Sequence, residues 1–242
     1  LPLLYPNIEE HLQSCIDYQV PVVITSAGNP GLYTHRLKEK GIKVLHVVSS
    51  AKFALKAQAA GVDAVIAEGF EAGGHNGREE TTTLVLVPSV CDAVEIPVVA
   101  AGGISDGRSM AAALVLGADA VQMGSRYVAT QESSAHEAFK TKVMEAGEGS
   151  TTLTLKELTP VRLLHNPFYQ AIQEAYERRV SQEELTALLG RGRAKKGMFE
   201  GDLEAGELEI GQVAARISDL PSAQTITKEI HEAALNILTT GS

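Results

Sequence analysis

The sequence predicts an α/β fold built on a parallel sheet, of the (β/α) barrel kind. Three observations carry that expectation. Five short segments rich in β-branched residues recur: PVVIT at 21–25, KVLHVV at 43–48, DAVIA at 63–67, PVVAA at 97–101 and DAVQM at 119–123. Each is almost continuously apolar, as a strand buried on both faces should be. Helix-compatible stretches lie between them, so the chain alternates β and α. Finally, GVDAVIAEG (61–69) is echoed by GADAVQMGS (117–125), an internal repeat that favours a barrel over a doubly wound sheet.

The elements follow in order. After the first strand, residues 31–40 suit a helix, as do 50–60, 83–94 and 107–116. Gly41, Gly61 and Gly117 stand where helix C-caps are expected. Beyond about residue 130 the pattern changes. Residues 133–145, 167–179, 181–189 and 225–238 read as helices, with Ser134-Ala135-His136-Glu137 placed to cap the first. The organisation expected is a βα-barrel portion over 1–130 and a helical C-terminal region over 131–242. The acidic, Gly-rich stretch 190–211 reads as a solvated connection, with a loop folded over the barrel mouth as the alternative.

Composition limits the function classes. The 242 residues are 44% hydrophobic and 21% charged, enough apolar material for a sizeable core. The net charge of −9 argues against broad binding of nucleic-acid phosphates, and 5% aromatic residues with no Trp weaken any base-stacking platform. No apolar run is long enough for a membrane span. The start, Leu1-Pro2-Leu3-Leu4-Tyr5-Pro6, has no basic n-region and is not read as a signal peptide. It lacks an initiator Met, so the chain is read as a processed product or part of something longer. Cys15 and Cys91 form no CxxC pattern, which points to a reducing, cytoplasmic setting. The histidines show no metal-ligand spacing, and no metal is assigned.

Three strand-end loops carry candidate chemistry. Glu68-Gly69-Phe70-Glu71-Ala72-Gly73-Gly74-His75-Asn76-Gly77 follows the third strand. Gly73 and Gly74 let backbone approach a planar ligand, and His75 can move a proton near neutral pH. An exposed turn histidine is the plainer alternative. Gly102 and Gly103 end the fourth strand; Gln122-Met123-Gly124-Ser125-Arg126 ends the fifth. Together these can aim backbone N–H groups and a hydroxyl at one phosphate. Arg126 either adds charge there or pairs with a surface carboxylate. Ser26–Pro30 is either pocket wall or an ordinary turn. His46, inside a strand, reads as a satisfied core histidine. Cys91 lacks a paired base and is not read as a nucleophile.

EGFEAGGHNG (68–77), PVVAAGGISDG (97–107), AVQMGSRY (120–127) and FEGDLEAGELEIGQ (199–212) resemble the flavin-dependent nitronate monooxygenase family. That family was formerly called 2-nitropropane dioxygenase and includes the enoyl-acyl-carrier-protein reductase II enzymes. The resemblance implies an FMN-binding TIM barrel. It makes His75 the catalytic acid or base. It assigns the flavin phosphate to Gly102, Gly103, Gln122, Met123, Gly124 and Ser125, with Gly73 and Gly74 approaching the isoalloxazine. Family members begin with three further βα units, the first bearing a Gly-rich flavin contact of the QGGM type, and none is visible here. Five strands cannot close an eight-stranded barrel, so the chain is expected to hold its last five βα units.

The expected activity is oxidation of alkyl nitronates by O₂ to a carbonyl compound and nitrite. The alternative within enzymes is NAD(P)H-dependent reduction of an enoyl thioester through FMN. A phosphate-ligand binding barrel without redox turnover is the rival from another class. A barrel isomerase or aldolase is further off, because no strand-end Lys serves Schiff-base chemistry. Homo-oligomerisation is left open.

Overall fold

The computed structural model describes residues 1–240. Among them eight strands run in chain order: β1 (Val22–Thr25), β2 (Lys43–Val48), β3 (Ala64–Glu68), β4 (Gly74–His75), β5 (Val98–Ala101), β6 (Ala120–Gln122), β7 (Thr151–Thr154) and β8 (Val161–Leu164). The chain forms two compact units. The first holds residues 1–69, 81–101 and 113–122; the second holds 70–80, 102–112 and the chain from 123 onward.

The first unit contains one five-stranded parallel sheet in the order β1-β2-β3-β5-β6. Each apolar run of the sequence becomes one of these strands. The strand order never reverses, which is the progression of a (β/α) barrel. A doubly wound sheet would show a reversal. The GxDAV echo proves to be one physical device used twice. The Asp63 carboxylate accepts the Val44 N–H at 2.9 Å, and the Asp119 carboxylate accepts the Val98 N–H at 2.8 Å. Each aspartate thus ties the start of its own strand to the start of the preceding one. The glycine that opens each repeat closes a helix in the left-handed region, with φ of +81° at Gly61 and +103° at Gly117.

Side chains alternate between the two faces of this sheet. One face is covered: Val23, Val44, Val65 and Val98 are buried, with the helices Ala51–Ala59 and Thr83–Cys91 packed on the strands. The other face is apolar yet open towards β1. Val22 and Ile24 are 45% and 39% exposed, and Leu45, Val47 and Val99 are half-buried. Parallel sheets are ordinarily covered on both faces. At the carboxyl end of β1, residues Leu1–Leu3 run alongside, with the Leu3 N–H donating to Ser26 O and the Ser26 N–H to Leu1 O.

His46 behaves as a core histidine. It is buried on β2, its Nδ1 lies 2.7 Å from Thr25 Oγ1, and burial lowers its pKa to about 4. The folded value lies below the unfolded one, so the stabilising contribution is full above about pH 6.5 and is lost as pH falls towards 4. His46→Gln should flatten that part of the stability profile, as read by Tm between pH 7 and 4.

The second unit contains a three-stranded antiparallel sheet, β4-β8-β7. The region beyond residue 130, expected to be helical, also contains β7 and β8. TTLT and VRLL are too short to show alternation, and each is a strand only because its neighbours pair with it. The helices Glu137–Met144, Pro167–Glu177, Gln182–Leu189 and Ala223–Thr240 stand where periodicity places them. His136 caps the first of these, its Nδ1 accepting the Ala138 N–H. The stretch 190–211 is not a solvated connection throughout. It contains the helix Arg193–Met198, and Leu208 and Ile210 are buried in a cluster with Phe139, Val143 and Leu164. No described helix is long and apolar enough to cross a membrane.

Candidate functional site

The second unit gathers most of the predicted site residues around one crossing of backbones. Phe70–Asn76 leaves the carboxyl end of β3 and enters the two-residue strand β4 (Gly74–His75). That strand is short, so it depends on its neighbour: Gly74 stands opposite Arg162 and His75 opposite Val161 on β8. The Asn76 N–H donates to Pro160 O, and the Asn76 amide donates to Ala72 O and Gly74 O, which closes the turn around the glycine pair.

A second segment, Glu207–Gln212, is threaded against the first. The Leu164 N–H donates to Leu208 O, and Leu163 bridges Glu209 in antiparallel sense. The Gln212 N–H donates to Glu71 O, and the Gly211 N–H donates to Ser125 Oγ at 2.9 Å. Close backbone approach requires glycine at 73, and the left-handed conformation favours it at 74. A Cβ on Gly73 would collide with Ile210 C, with Gly211 N at 2.5 Å and with Ile210 Cα at 2.6 Å. A Cβ on Gly74, whose φ is +73°, would lie 2.7 Å from Glu209 Oε2. On the side where a Cβ would stand, these glycines thus face a segment of the same chain.

His75 is held at its backbone and left open at its ring. Its side chain is 64% exposed, and Nδ1 lies 4.0 Å from Glu209 Oε1. The Glu209 carboxyl is largely buried; burial holds its pKa above the usual carboxylate range, and the neighbouring His75 draws it back down. Glu207 stands two residues earlier on the same alternation, and burial raises it to about 7, with Glu209 adding to the rise. Neither carboxylate was singled out from the sequence. The available signal was the period-two pattern E-L-E-I at 207–210, in which Leu208 and Ile210 face the core and the glutamates face the other way.

Arg162 was missed as well. The residue is buried, and its guanidinium donates from Nε and Nη2 to Phe70 O and stacks over the Phe70 ring with Cζ 4.5 Å from the centroid. It fixes the entry of the His75 loop. A charge inside the apolar run VRLL was the visible clue.

The remaining predicted residues fall as follows. Gly103, with φ of +71°, has its Cβ direction 3.4 Å from the Glu71 side chain; Gly102 takes φ of +86°. Beyond them Asp106 caps the helix Gly107–Val115. Its Oδ1 accepts the Ser109 N–H, and with Arg108 and Arg216 alongside, these bonds outweigh burial to bring its pKa to about 2. Met123 precedes Gly124, which has open space where a Cβ would sit. Ser125 accepts from Gly211 and keeps its own proton for another acceptor. Arg126 is buried and pairs with Asp219 at 2.8 Å, so the ion-pair alternative holds. Gln122 ends β6 in the first unit, in register with Ala101. In that unit too, Glu68 ends β3 and burial raises its pKa to about 7. The Ser26–Pro30 segment is a capped turn, Asn29 Oδ1 accepting the Gly31 N–H. No metal-binding cluster occurs among the described residues.

Comparison with known proteins identifies the family. The nitronate monooxygenase family profile matches residues 6–233. A probable nitronate monooxygenase of Staphylococcus aureus is 35% identical, over 91% of this chain and 64% of its own length. A (3aS,4S,5R,7aS)-5-hydroxy-7a-methyl-1-oxo-octahydro-1H-indene-4-carboxyl-CoA dehydrogenase of Mycobacterium tuberculosis is also 35% identical, over 86% of this chain and 69% of its own. The structure of FabK from Thermotoga maritima superposes with a TM-score of 0.92 at 42% identity, covering 99% of this chain and 76% of that one. The chain therefore spans roughly two-thirds to three-quarters of the length of these relatives, and with its matched profile it belongs to the nitronate monooxygenase family.

Proposed function

We propose that this chain carries the phosphate-holding and proton-handling parts of an FMN-dependent nitronate monooxygenase. The observation that carries the reading is His75, an exposed imidazole on a strand stub pinned at its backbone, with a half-buried carboxylate on one side. An imidazole so placed can take the α-proton of a small carbon acid. The five parallel strands are read as the last five βα units of an eight-stranded barrel. The open apolar face of the sheet and the greater length of the relatives support this reading. Residues 1–130 would form its barrel portion and 131–242 its C-terminal region. The two free cysteines, Cys15 and Cys91, suit a reducing, cytoplasmic setting.

The residues fit a flavin phosphate. Gly124 offers backbone with no Cβ in the way, Gly103 turns its backbone through the left-handed region, and Ser125 keeps a hydroxyl proton to donate. Gly102, Gln122 and Met123 complete the proposed set. With Arg126 engaged by Asp219, the anion would be held by N–H and O–H donors. Bound FMN would supply the electron acceptor for the nitronate, with O₂ as the final oxidant. The protein's own part is to bind the nitro compound, hold it beside His75 and remove its proton.

An anaerobic spectral titration of the full-length protein tests this. Bleaching of the flavin by a nitronate supports it. Bleaching only by NADH, with reoxidation by an enoyl thioester, moves the assignment to the reductase reading, which the carboxyl-CoA named for the dehydrogenase relative favours. No bound chromophore leaves the non-redox rival. The released chromophore should be FMN by mass, because the loops provide one phosphate cradle and no dinucleotide turn. Gly103→Asp should reduce flavin content to below roughly a tenth, since it sets a carboxylate against Glu71 and into the phosphate space. An unchanged flavin-to-protein ratio would remove Gly103 from the cradle.

A further inference from the structure

Glu209 has no role of its own in the reading so far, and its backbone is held by partners on either side. Leu208 and Ile210, on either side, are buried in the core, so the strand alternation turns Glu209 the other way. The Leu163 bridge holds its backbone from one side, and the Gly211 bond to Ser125 holds the next residue but one. A side chain at position 74 would strike its Oε2. The carboxylate therefore has a fixed backbone and reaches the edge of the imidazole that carries Nδ1.

We propose that Glu209 is the positioning residue for His75: it orients the imidazole through Nδ1, directs Nε2 at the substrate, and stabilises the imidazolium formed when the α-proton is taken. The inference rests on the carbon-acid reading above. In the step it supports, the substrate C–H bond breaks, the proton moves to Nε2, and the electron pair stays on the substrate as the nitronate. The positive charge that develops on the ring then faces a half-buried carboxylate, and attraction between opposite charges favours the charged ring. The 4.0 Å separation is longer than a hydrogen bond. Contacts of this kind tighten when the reacting complex forms. Two features follow without further assumption. The histidine motif favours glycine at 74, where φ is +73° and the Glu209 carboxylate lies on the side a Cβ would take. The FEGDLEAGELEIGQ segment then contributes to the site although it lies far from the histidine in sequence.

The test is a double-substitution cycle in the full-length flavoprotein. Glu209→Gln should slow turnover of a neutral nitroalkane by roughly 10–100-fold, the range open to residues coupled in one network. It should leave turnover of the preformed nitronate nearly unchanged. Glu209→Asp should recover part of the loss. In a His75→Ala background, Glu209→Gln should add almost nothing, because it acts through the imidazole. Equal loss on both substrates, or full additivity with His75→Ala, overturns the proposal. Flavin content and Tm of each variant identify a folding defect, and Glu209→Asp then carries the test. If His75→Ala alone affects neither substrate, the carbon-acid reading fails. If it slows the nitroalkane while Glu209→Gln does not, only the role of Glu209 fails.

Discussion

His75→Ala should lower turnover of a neutral nitroalkane by about 10²–10⁴-fold, the usual contribution of a positioned acid or base. Flavin should stay bound, because the proposed phosphate donors, Gly103, Gly124 and Ser125, come from other loops. Supplying the substrate already deprotonated should restore most of the rate. Steady-state kinetics on the two substrate forms, with the flavin-to-protein ratio measured alongside, decides the matter. An equal loss on both forms would make His75 an anion-stabilising group. No loss on either would make it the exposed turn residue that its 64% exposure also permits.

The second large effect is expected at Gly73. Alanine there has no room: its Cβ would press into the main chain of Ile210 and Gly211, which cannot swing aside as a side chain can. Overpacking of this kind costs about 1–3 kcal/mol, and each kcal/mol lowers Tm by roughly 2–4 °C in a chain of this size. Activity should fall further than stability does, since the clash separates the His75 strand from the Glu209 segment. A displacement of about 1 Å can cost roughly 100-fold. Gly147→Ala is the control, for the nearest atom to its Cβ position is Ser150 Oγ at 4.0 Å. Thermal melts and nitroalkane kinetics on both variants should separate them clearly. Equal behaviour would show that the two backbones are free to part.

The parallel sheet was legible because each strand is a dense apolar run and the breaks between runs carry their own chemistry. Asp63 and Asp119 mark strand starts because their carboxylates tie neighbouring strands, so the repeat in sequence is a repeat in hydrogen bonding. His75 and the glycines were legible as a motif on a strand end. What they meet was not. Glu209 sits in a stretch whose composition reads as solvated, and only the buried Leu208 and Ile210 reveal it as a strand-like segment. Strands β7 and β8 escaped notice because four residues cannot display a period. Arg162 reads from sequence as an intrusion into an apolar run; its purpose appears only once Phe70 O lies beside it. These misses share a cause. Each residue is defined by a partner distant in the chain, and local pattern carries no information about such partners.

The same long-range closure sets the order in which the protein can mature during synthesis. Arg162 meets Phe70 across 92 residues of chain, and Gly211 meets Ser125 across 86. A ribosome releases the His75 loop long before the segment that braces it exists. The strands β1 to β3, with their helices, pair sequentially and can form early from near-neighbour contacts. The histidine strand, only two residues long and without Arg162 or the Glu207–Gln212 segment, has nothing to hold it extended. The nascent chain should thus pass through a stage with an assembled sheet and an unformed proton-handling loop, and a polypeptide stopped before residue 207 should remain at that stage.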